Sequence, residues 1–239
     1  MKKYILAFLL PCLWVLSVGA VDLQQAEQYY REGRFAAALG AYENLLKNYP
    51  NDPYLYYNIG NCYFKMGSRG LAIANYFRAF RLAPRDADIR HNLTLTLDSA
   101  GEKFVPAGMP VSLHKAFFAF TTLELKGLSI LTLLLCCALA GFWLFKRRAG
   151  ILLGLSTTIL LVLGGWYLWR SHIDGVSLAV VAAPTAELRS GPGNNFPASA
   201  NVSQGHLLTV LDSKDHWDEV IVNSQAIKGW IEANDLEKI

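Results

Sequence analysis

Two long runs of apolar residues occupy the middle of the chain. Residues 127–145 and 149–169 contain 19 and 21 residues without a charged side chain. At about 1.5 Å per residue in a helix, each run extends about 28–32 Å, which is the thickness of a bilayer core. Both runs are therefore predicted to be transmembrane helices, and the short segment 146–148 between them is predicted to be a tight turn.

That turn consists of Lys146, Arg147 and Arg148. Clustered cations next to a membrane span favour the cytoplasmic side. The sequence therefore predicts a two-pass hairpin whose basic turn faces the cytoplasm, so that the segments before and after it both lie on the opposite side of the membrane.

The extreme N-terminus has the layout of a secretory signal. Lys2 and Lys3 precede the apolar run 4–18, and small residues end this segment at 18–20. Such a segment is removed from a mature protein, so residues 1–20 are predicted to be a signal peptide and are left out of the fold.

The linker 101–126 carries a mixture of aromatic and basic residues at 113–120, directly before the first span. Aromatic rings favour the membrane interface, which predicts an interfacial helix there. A linker helix that packs on the preceding domain explains the same pattern equally well.

Residues 22–99 repeat with a period of 34. The same offset joins six pairs of residues: Tyr29 and Tyr63, Gly33 and Gly67, Ala38 and Ala72, Tyr42 and Tyr76, Lys47 and Arg81, and Pro50 and Pro84. A fixed offset at so many positions indicates a repeat architecture.

This pattern resembles the tetratricopeptide repeat, in which each repeat is a pair of short antiparallel helices. The resemblance implies two full repeats and a capping helix at 86–99 within residues 21–100. Two and a half repeats are few for a solenoid, so we expect the stack to be stabilised by the membrane-proximal helix or by a partner.

In such repeats the first helices line a concave groove, and spacings of three and four residues identify the side chains that point into it. These are Tyr54, Tyr57, Asn61, Lys65, Glu27, Tyr30 and Asn92. Tyrosines beside amides suit an extended peptide, because the rings supply contact area and an amide pairs with a peptide bond. An ordinary solvated helix face remains the alternative.

After residue 176 the pattern changes to short strands, predicted at 177–181, 206–211, 217–222 and 227–231. Segment 186–192, Gly205, Trp217 and segment 229–231 resemble the bacterial SH3-like (SH3b) domain, which implies a small all-β barrel over residues 176–239.

Strand alternation directs Val220 and Val222 toward the interior and Trp217 toward the outside. Trp217, with Glu187 and Arg189, is therefore a candidate ligand face, and the resemblance implies peptide or cell-wall ligands. Alternatively, Trp217 and Trp230 close the ends of the barrel.

Charge and motifs exclude several functions. The net charge is +3, and residues 171–239 carry 4 basic and 9 acidic side chains, which disfavours nucleic acid. No spacing typical of a metal or cofactor site is present, and Asp215 and Asp218 beside His216 are interpreted as solvated turn residues, so we expect a protein without enzyme activity, catalytic residues or cofactor.

The predicted whole is a multidomain membrane protein with an all-α tetratricopeptide solenoid, a two-helix transmembrane hairpin and a small all-β SH3-like barrel. This order resembles BatE-type proteins of the Bacteroides aerotolerance group. The resemblance implies partners with von Willebrand factor A domains and a MoxR-type ATPase, and a role in oxidative or envelope stress tolerance.

We therefore expect a membrane-held adaptor for other proteins. Its place would be the bacterial inner (cytoplasmic) membrane, with both domains on the periplasmic or extracellular side. The alternative is a peptidoglycan-binding or cell-wall-enzyme accessory protein that acts through the SH3-like domain.

Overall fold

The computed structural model describes residues 22–106, 108–146 and 149–239. The predicted signal peptide and two residues of the basic turn, Arg147 and Arg148, lie outside these ranges. The described residues form two compact units: the first combines 22–106 with 178–239, and the second comprises 108–146 and 149–177.

The N-terminal part of the first unit consists of paired helices with the predicted period. Helix α1 includes residues 22–31, and four more helices follow it: α2 (Phe35–Asn48), α3 (Pro53–Lys65), α4 (Arg69–Leu82) and α5 (Ala87–Ser99). Helices α1 and α2 form the first repeat and α3 and α4 the second. Helix α5 corresponds to the predicted capping helix.

Local sequence signals explain where these helices begin and end. The Asp52 side chain accepts a hydrogen bond of 2.8 Å from the Tyr54 amide, and Asp86 accepts bonds from the first amides of α5. Gly33 and Gly67 follow α1 and α3 with φ angles of 74° and 81°, a conformation that side chains disfavour. The sequence thus sets each helix-to-helix turn.

Small residues allow the helices to approach one another closely. A Cβ atom at Gly60 would lie 2.7 Å from the Tyr76 ring, so α3 and α4 pack as closely as they do only with glycine there. Ala26, Ala38 and Ala79 are fully buried. These contacts form the core of the repeats.

The C-terminal part of the first unit is a seven-stranded antiparallel sheet with the strand order β3-β2-β6-β5-β4-β1-β7. Its strands are β1 (Leu178–Val181), β2 (Thr185–Arg189), β3 (Ala198–Ser203), β4 (Leu207–Lys214), β5 (Trp217–Val222), β6 (Ile227–Glu232) and β7 (Leu236–Lys238). Strands β1, β4, β5 and β6 correspond to the four predicted strands, whereas β2, β3 and β7 were not predicted.

Strand β5 alternates as expected. Val220 and Val222 are buried in the core of the sheet, while Trp217 is only partly buried on the other face. The interpretation of Asp218 as a solvated turn residue is wrong, because its side chain is 2% exposed and lies 2.9 Å from the Lys238 ammonium. Asp218 therefore links β5 to β7 through an ion pair.

The repeats and the sheet pack directly on each other through α4. A Cβ atom at Gly70 would lie 2.1 Å from the Val181 carbonyl oxygen, which places the start of α4 against β1. Val180, which alternates with the core residues Ala179 and Val181, is fully buried, as is Ile73 of α4. We call this contact of α4 with the sheet the α4 junction.

Polar contacts surround this apolar contact. The Arg69 amide at the start of α4 donates to the Gln204 side chain at 3.2 Å, which supplies the cap that Ser68 does not provide. At the other end of α4, Arg78 donates to Glu237 at 2.5 Å and Arg81 to the Ile239 carbonyl oxygen at 3.2 Å.

The sheet therefore covers part of the short solenoid, whereas the sequence predicts this role for the membrane-proximal helix or a partner. In α4 the successive residues Ala72, Ile73, Ala74 and Asn75 are all buried. A helix that is buried on more than one side needs neighbours on more than one side.

The second unit contains three helices among its described residues: α6 (Val111–Phe117), α7 (Thr122–Lys146) and α8 (Gly150–Asp174). Helices α7 and α8 are long and apolar enough to cross a membrane. Helix α7 extends beyond the predicted span 127–145 at both ends, whereas α8 begins one residue after the predicted start at 149 and continues beyond 169. Cys136 and Ser156 meet between them, with 3.3 Å from Sγ to Oγ.

The α4 junction predicts different effects for two glycine-to-alanine substitutions. Gly70→Ala should lower the stability of the full chain in detergent by about 1–3 kcal/mol, because the new methyl group meets backbone atoms of β1. Gly40→Ala in α2 meets no atom within 4 Å and should leave stability unchanged or slightly raised. Equal unfolding midpoints for the two variants would contradict the junction.

Candidate binding groove

A groove of about 270 Å³ crosses the first helices of the repeats. Helix α1 contributes Tyr30, α3 contributes Tyr57, and α5 contributes Asn92. The remaining lining residues are Asn61, Phe64, Lys65, Tyr76, Leu95 and Thr96. We call these nine residues the repeat groove.

Hydrogen bonds between side chains hold the floor of the repeat groove in place. The Tyr76 hydroxyl donates to Asn61 Oδ1 at 2.7 Å, and Asn92 Nδ2 donates to the same oxygen at 3.0 Å. Asn92 Nδ2 also donates to the Tyr57 hydroxyl oxygen at 3.0 Å. Four side chains from three helices are thereby fixed relative to one another.

This network leaves polar groups for a ligand. In the described part of the chain, Asn61 Nδ2 and Asn92 Oδ1 have no protein partner, and the Tyr57 hydroxyl accepts a bond but donates none. A peptide bond offers one donor and one acceptor. The groove thus presents donors and an acceptor of the kind that a peptide backbone requires.

Tyr30 and Tyr76 of the repeat groove remain protonated at neutral pH. Burial raises the pKa of Tyr76, and the neighbouring Tyr57 and Tyr30 raise it further. Burial also raises the pKa of Tyr30. Their hydroxyl groups therefore act as neutral hydrogen-bond donors and acceptors.

The structure brings together five of the seven residues that the sequence proposed for the groove: Tyr30, Tyr57, Asn61, Lys65 and Asn92. Lys65 is the one charged residue of this lining, and no carboxylate within the described ranges pairs with it. The groove is therefore mainly neutral, with one cation at its edge.

Two predicted residues lie elsewhere. Tyr54 is 57% exposed, and its hydroxyl lies 3.4 Å from Asp86 Oδ2. It lines a separate shallow depression with Tyr49 and the loop between α2 and α3. Glu27 pairs with Arg31 at 3.5 Å on the surface of α1.

Sequence reasoning missed Phe64, Tyr76 and Thr96 as groove residues. Tyr76 was assigned to the core, and it does lie in the core, but its buried hydroxyl reaches the floor of the groove. The bond between Asn61 and Asn92 joins positions 31 residues apart, whereas the repeat period is 34. The period alone therefore does not reveal which side chains meet.

The second predicted site lies on the outer face of the sheet. Trp230 is paired with Glu219 and with Arg189 in the strand register, so all three side chains share this face with Trp217. Both tryptophans are partly buried. We call this surface the tryptophan face.

The other two predicted residues of this site contact each other. The Arg189 guanidinium pairs with Glu187 and donates to the carbonyl oxygens of Asn194 and Phe196, the latter at 2.8 Å. Arg189 therefore holds the loop after β2. Burial and the nearby Glu232 and Glu187 raise the pKa of Asp235.

Two further predictions concern charge and metal sites. Lys146 is the last residue of α7, and the orientation of the basic turn stays a prediction.

Among the described residues, no cluster of three or more histidine, cysteine, aspartate or glutamate side chains could hold a metal ion.

Comparison with known families supports the repeat. A family described as tetratricopeptide repeat matches residues 20–52, which include α1 and α2. The resemblance read from the 34-residue period is therefore confirmed for the first repeat. Among curated proteins, none matches the chain.

A buried thiol and a buried phenol group in the repeats predict a loss of stability at alkaline pH. Burial raises the pKa of the Cys62 thiol from 9.0 to about 12 and that of Tyr42 from 10.0 to about 12. Between these values the unfolded chain loses protons that the folded chain keeps, so stability should fall as pH rises from about 9 to 12.

Urea unfolding of the full chain in detergent at pH 7.5, 9, 10 and 11 measures this effect. The unfolding midpoint should fall at each step above pH 9, and Cys62→Ala should show a smaller fall between pH 9 and 10. A midpoint that stays constant or rises with pH would contradict burial of these groups.

Proposed function

We propose that this protein is a non-enzymatic adaptor that binds an extended segment of a partner protein in the repeat groove. The observation that carries the proposal is the side-chain network of Tyr57, Tyr76, Asn61 and Asn92. This network fixes two asparagines that line the groove, and binding costs little entropy because their side chains are already held in place.

The chemistry of the groove describes the partner segment. Asn61 Nδ2 would bind a backbone carbonyl oxygen, and Asn92 Oδ1 would bind a backbone amide. Phe64 and Leu95, which are 36% and 51% exposed, offer contact to an apolar side chain of the partner. Lys65 favours a neutral or acidic segment over a basic one.

We propose further that α7 and α8 anchor the adaptor in a membrane. The α4 junction supports a hairpin, because it joins segments that precede and follow these helices in sequence. Two segments packed together must lie on one side of a membrane, so the chain between them would cross it an even number of times. Two crossings meet this condition.

The remaining features of the proposal rest on the sequence. The basic turn Lys146-Arg147-Arg148 favours a cytoplasmic hairpin loop, and the signal-like residues 1–20 favour export. The first unit would then face the periplasm or the exterior of a bacterial cell. The BatE-like domain order adds von Willebrand factor A proteins and a MoxR-type ATPase as candidate partners and stress tolerance as the process served.

Photo-crosslinking from the groove tests the adaptor proposal. A benzoylphenylalanine in place of Leu95 should give a specific adduct in membranes of the source cell. The double substitution Asn61→Ala and Asn92→Ala should reduce the yield by about tenfold or more, because it removes two hydrogen bonds to the partner.

Asn44→Ala is the matched control, since Asn44 is an exposed asparagine on α2 outside the groove. It should leave the adduct unchanged. An adduct of equal yield in the double variant, at equal protein level, would contradict recognition by the groove.

A second candidate function is binding of cell-wall peptidoglycan by the tryptophan face. Two partly exposed tryptophans on one face of the sheet favour this function, because indole rings stack on sugar rings and apolar groups. In this case the sheet would be an SH3-like ligand module, and the carboxylates near it would disfavour acidic ligands.

Sedimentation of the detergent-solubilised full chain with purified peptidoglycan tests this function. Trp217→Ala and Trp230→Ala together should abolish cosedimentation, whereas Trp169→Ala on α8 should not. Cosedimentation that survives the loss of both indoles would contradict the tryptophan face, and absence of binding by the unmodified chain would remove this candidate.

A further inference from the structure

One end of the second unit carries a dense aromatic cluster. The Phe117 ring of α6 lies 6.4 Å from the ring of Trp166 and 5.7 Å from that of Trp169, both on α8. Phe120 packs edge-on against Trp166 at 5.7 Å. The Trp166 indole also donates to the Phe117 carbonyl oxygen at 3.2 Å. Helix α6 is thus fixed to the end of the helical hairpin.

Charged side chains reinforce the same end. The Arg170 guanidinium lies 4.1 Å from the centre of the Phe118 ring and pairs with Asp174 at 3.4 Å. Asp174 also accepts a hydrogen bond from Thr122 at the start of α7. Thr121 and Glu124 form a capping box there, with 2.8 Å from the Thr121 amide to the carboxylate.

Helix α6 is amphipathic and leaves apolar side chains uncovered. His114 is buried against the cluster, whereas Val111 and Leu113 are 55% and 56% exposed. Ser112 and Lys115 are also exposed. The apolar residues Val111 and Leu113 border the buried face of the helix on either side, and the polar residues lie opposite it.

The position of the cluster along the hairpin matches a membrane interface. Trp143 lies near the other end of the hairpin, where a Cβ atom at Gly150 would be 3.4 Å from the Trp143 indole nitrogen. From Gly150 to Trp169 there are 19 helical residues, or about 28 Å, which is close to the thickness of a hydrocarbon core. Tryptophans at two levels separated by this distance are typical of the two interfaces of one bilayer.

We propose that α6 lies in the headgroup layer of the membrane, with Val111 and Leu113 inserted among the upper parts of the lipid chains. Ser112 and Lys115 then face water and lipid phosphates. The occupant of this exposed apolar surface is lipid, because α6 packs on Trp166 and Trp169 of α8, an apolar helix long enough to cross a membrane and little buried within the protein. This inference rests on the proposed membrane anchoring.

Spin labels on the full-length protein test the inference. In a variant whose native cysteines are alanine, single cysteines are placed at Leu113, Ser112, Leu134 and Asn44, labelled, and reconstituted in phosphatidylcholine and phosphatidylglycerol vesicles. Collision rates with oxygen, which enters lipid, and with a nickel chelate, which stays in water, are compared at each site.

The ratio of oxygen to nickel collisions at Leu113 should exceed that at Ser112 several-fold and approach that at Leu134 in the middle of α7. Asn44 on α2 gives the water value. A low ratio at Leu113 beside a high ratio at Leu134 would overturn the inference and leave the membrane anchor intact.

Two other outcomes are equally informative. Low ratios at both Leu113 and Leu134 would overturn the anchor and the inference together. A label at Leu113 shielded from both reagents would indicate that protein covers α6, which also contradicts the inference. A label at Val111 repeats the measurement at a second site on the same helix.

Discussion

The α4 junction is the contact on which the arrangement of this chain depends. It joins two segments that are separated by about seventy residues of sequence, including both long apolar helices. Gly70 and Val181 come so close that a single methyl group would not fit between them, and Arg78 and Glu237 add an ion pair at the edge. In a longer solenoid each repeat is covered by its neighbour. In this short solenoid the sheet covers part of α4 instead.

The same helix contributes to the proposed site. One side of α4 packs on the sheet, while Tyr76 on another side reaches the floor of the repeat groove through its hydroxyl group. The sheet therefore stabilises the helix that supports the groove without lining the groove itself. Binding residues held by a rigid scaffold lose little entropy when a ligand arrives, which suits a protein whose proposed role is to hold partners.

Sequence reasoning predicted the parts of this structure that depend on local signals. The 34-residue period predicted the repeat helices, and five of the seven proposed groove residues line one groove. Contacts between distant segments were not predictable, because neither the repeat period nor strand alternation specifies which surfaces join. The close approach at Gly70 and the burial of successive residues along α4 are evident only in the structure. The burial of Asp218, which pairs with Lys238 of another strand, shows the same limit within the sheet.

Cross-linking between α4 and β7 tests the α4 junction most directly. Arg78→Cys and Glu237→Cys are combined, in a chain without other cysteines, with an engineered protease site between Lys103 and Pro106. After treatment of native membranes with a short bis-maleimide and then with protease, a denaturing gel should show one band, as a covalent link would hold the two fragments together. Each single-cysteine variant should give two bands. Two bands from the double variant as well would show that the repeats and the sheet do not pack on each other, which would contradict the α4 junction.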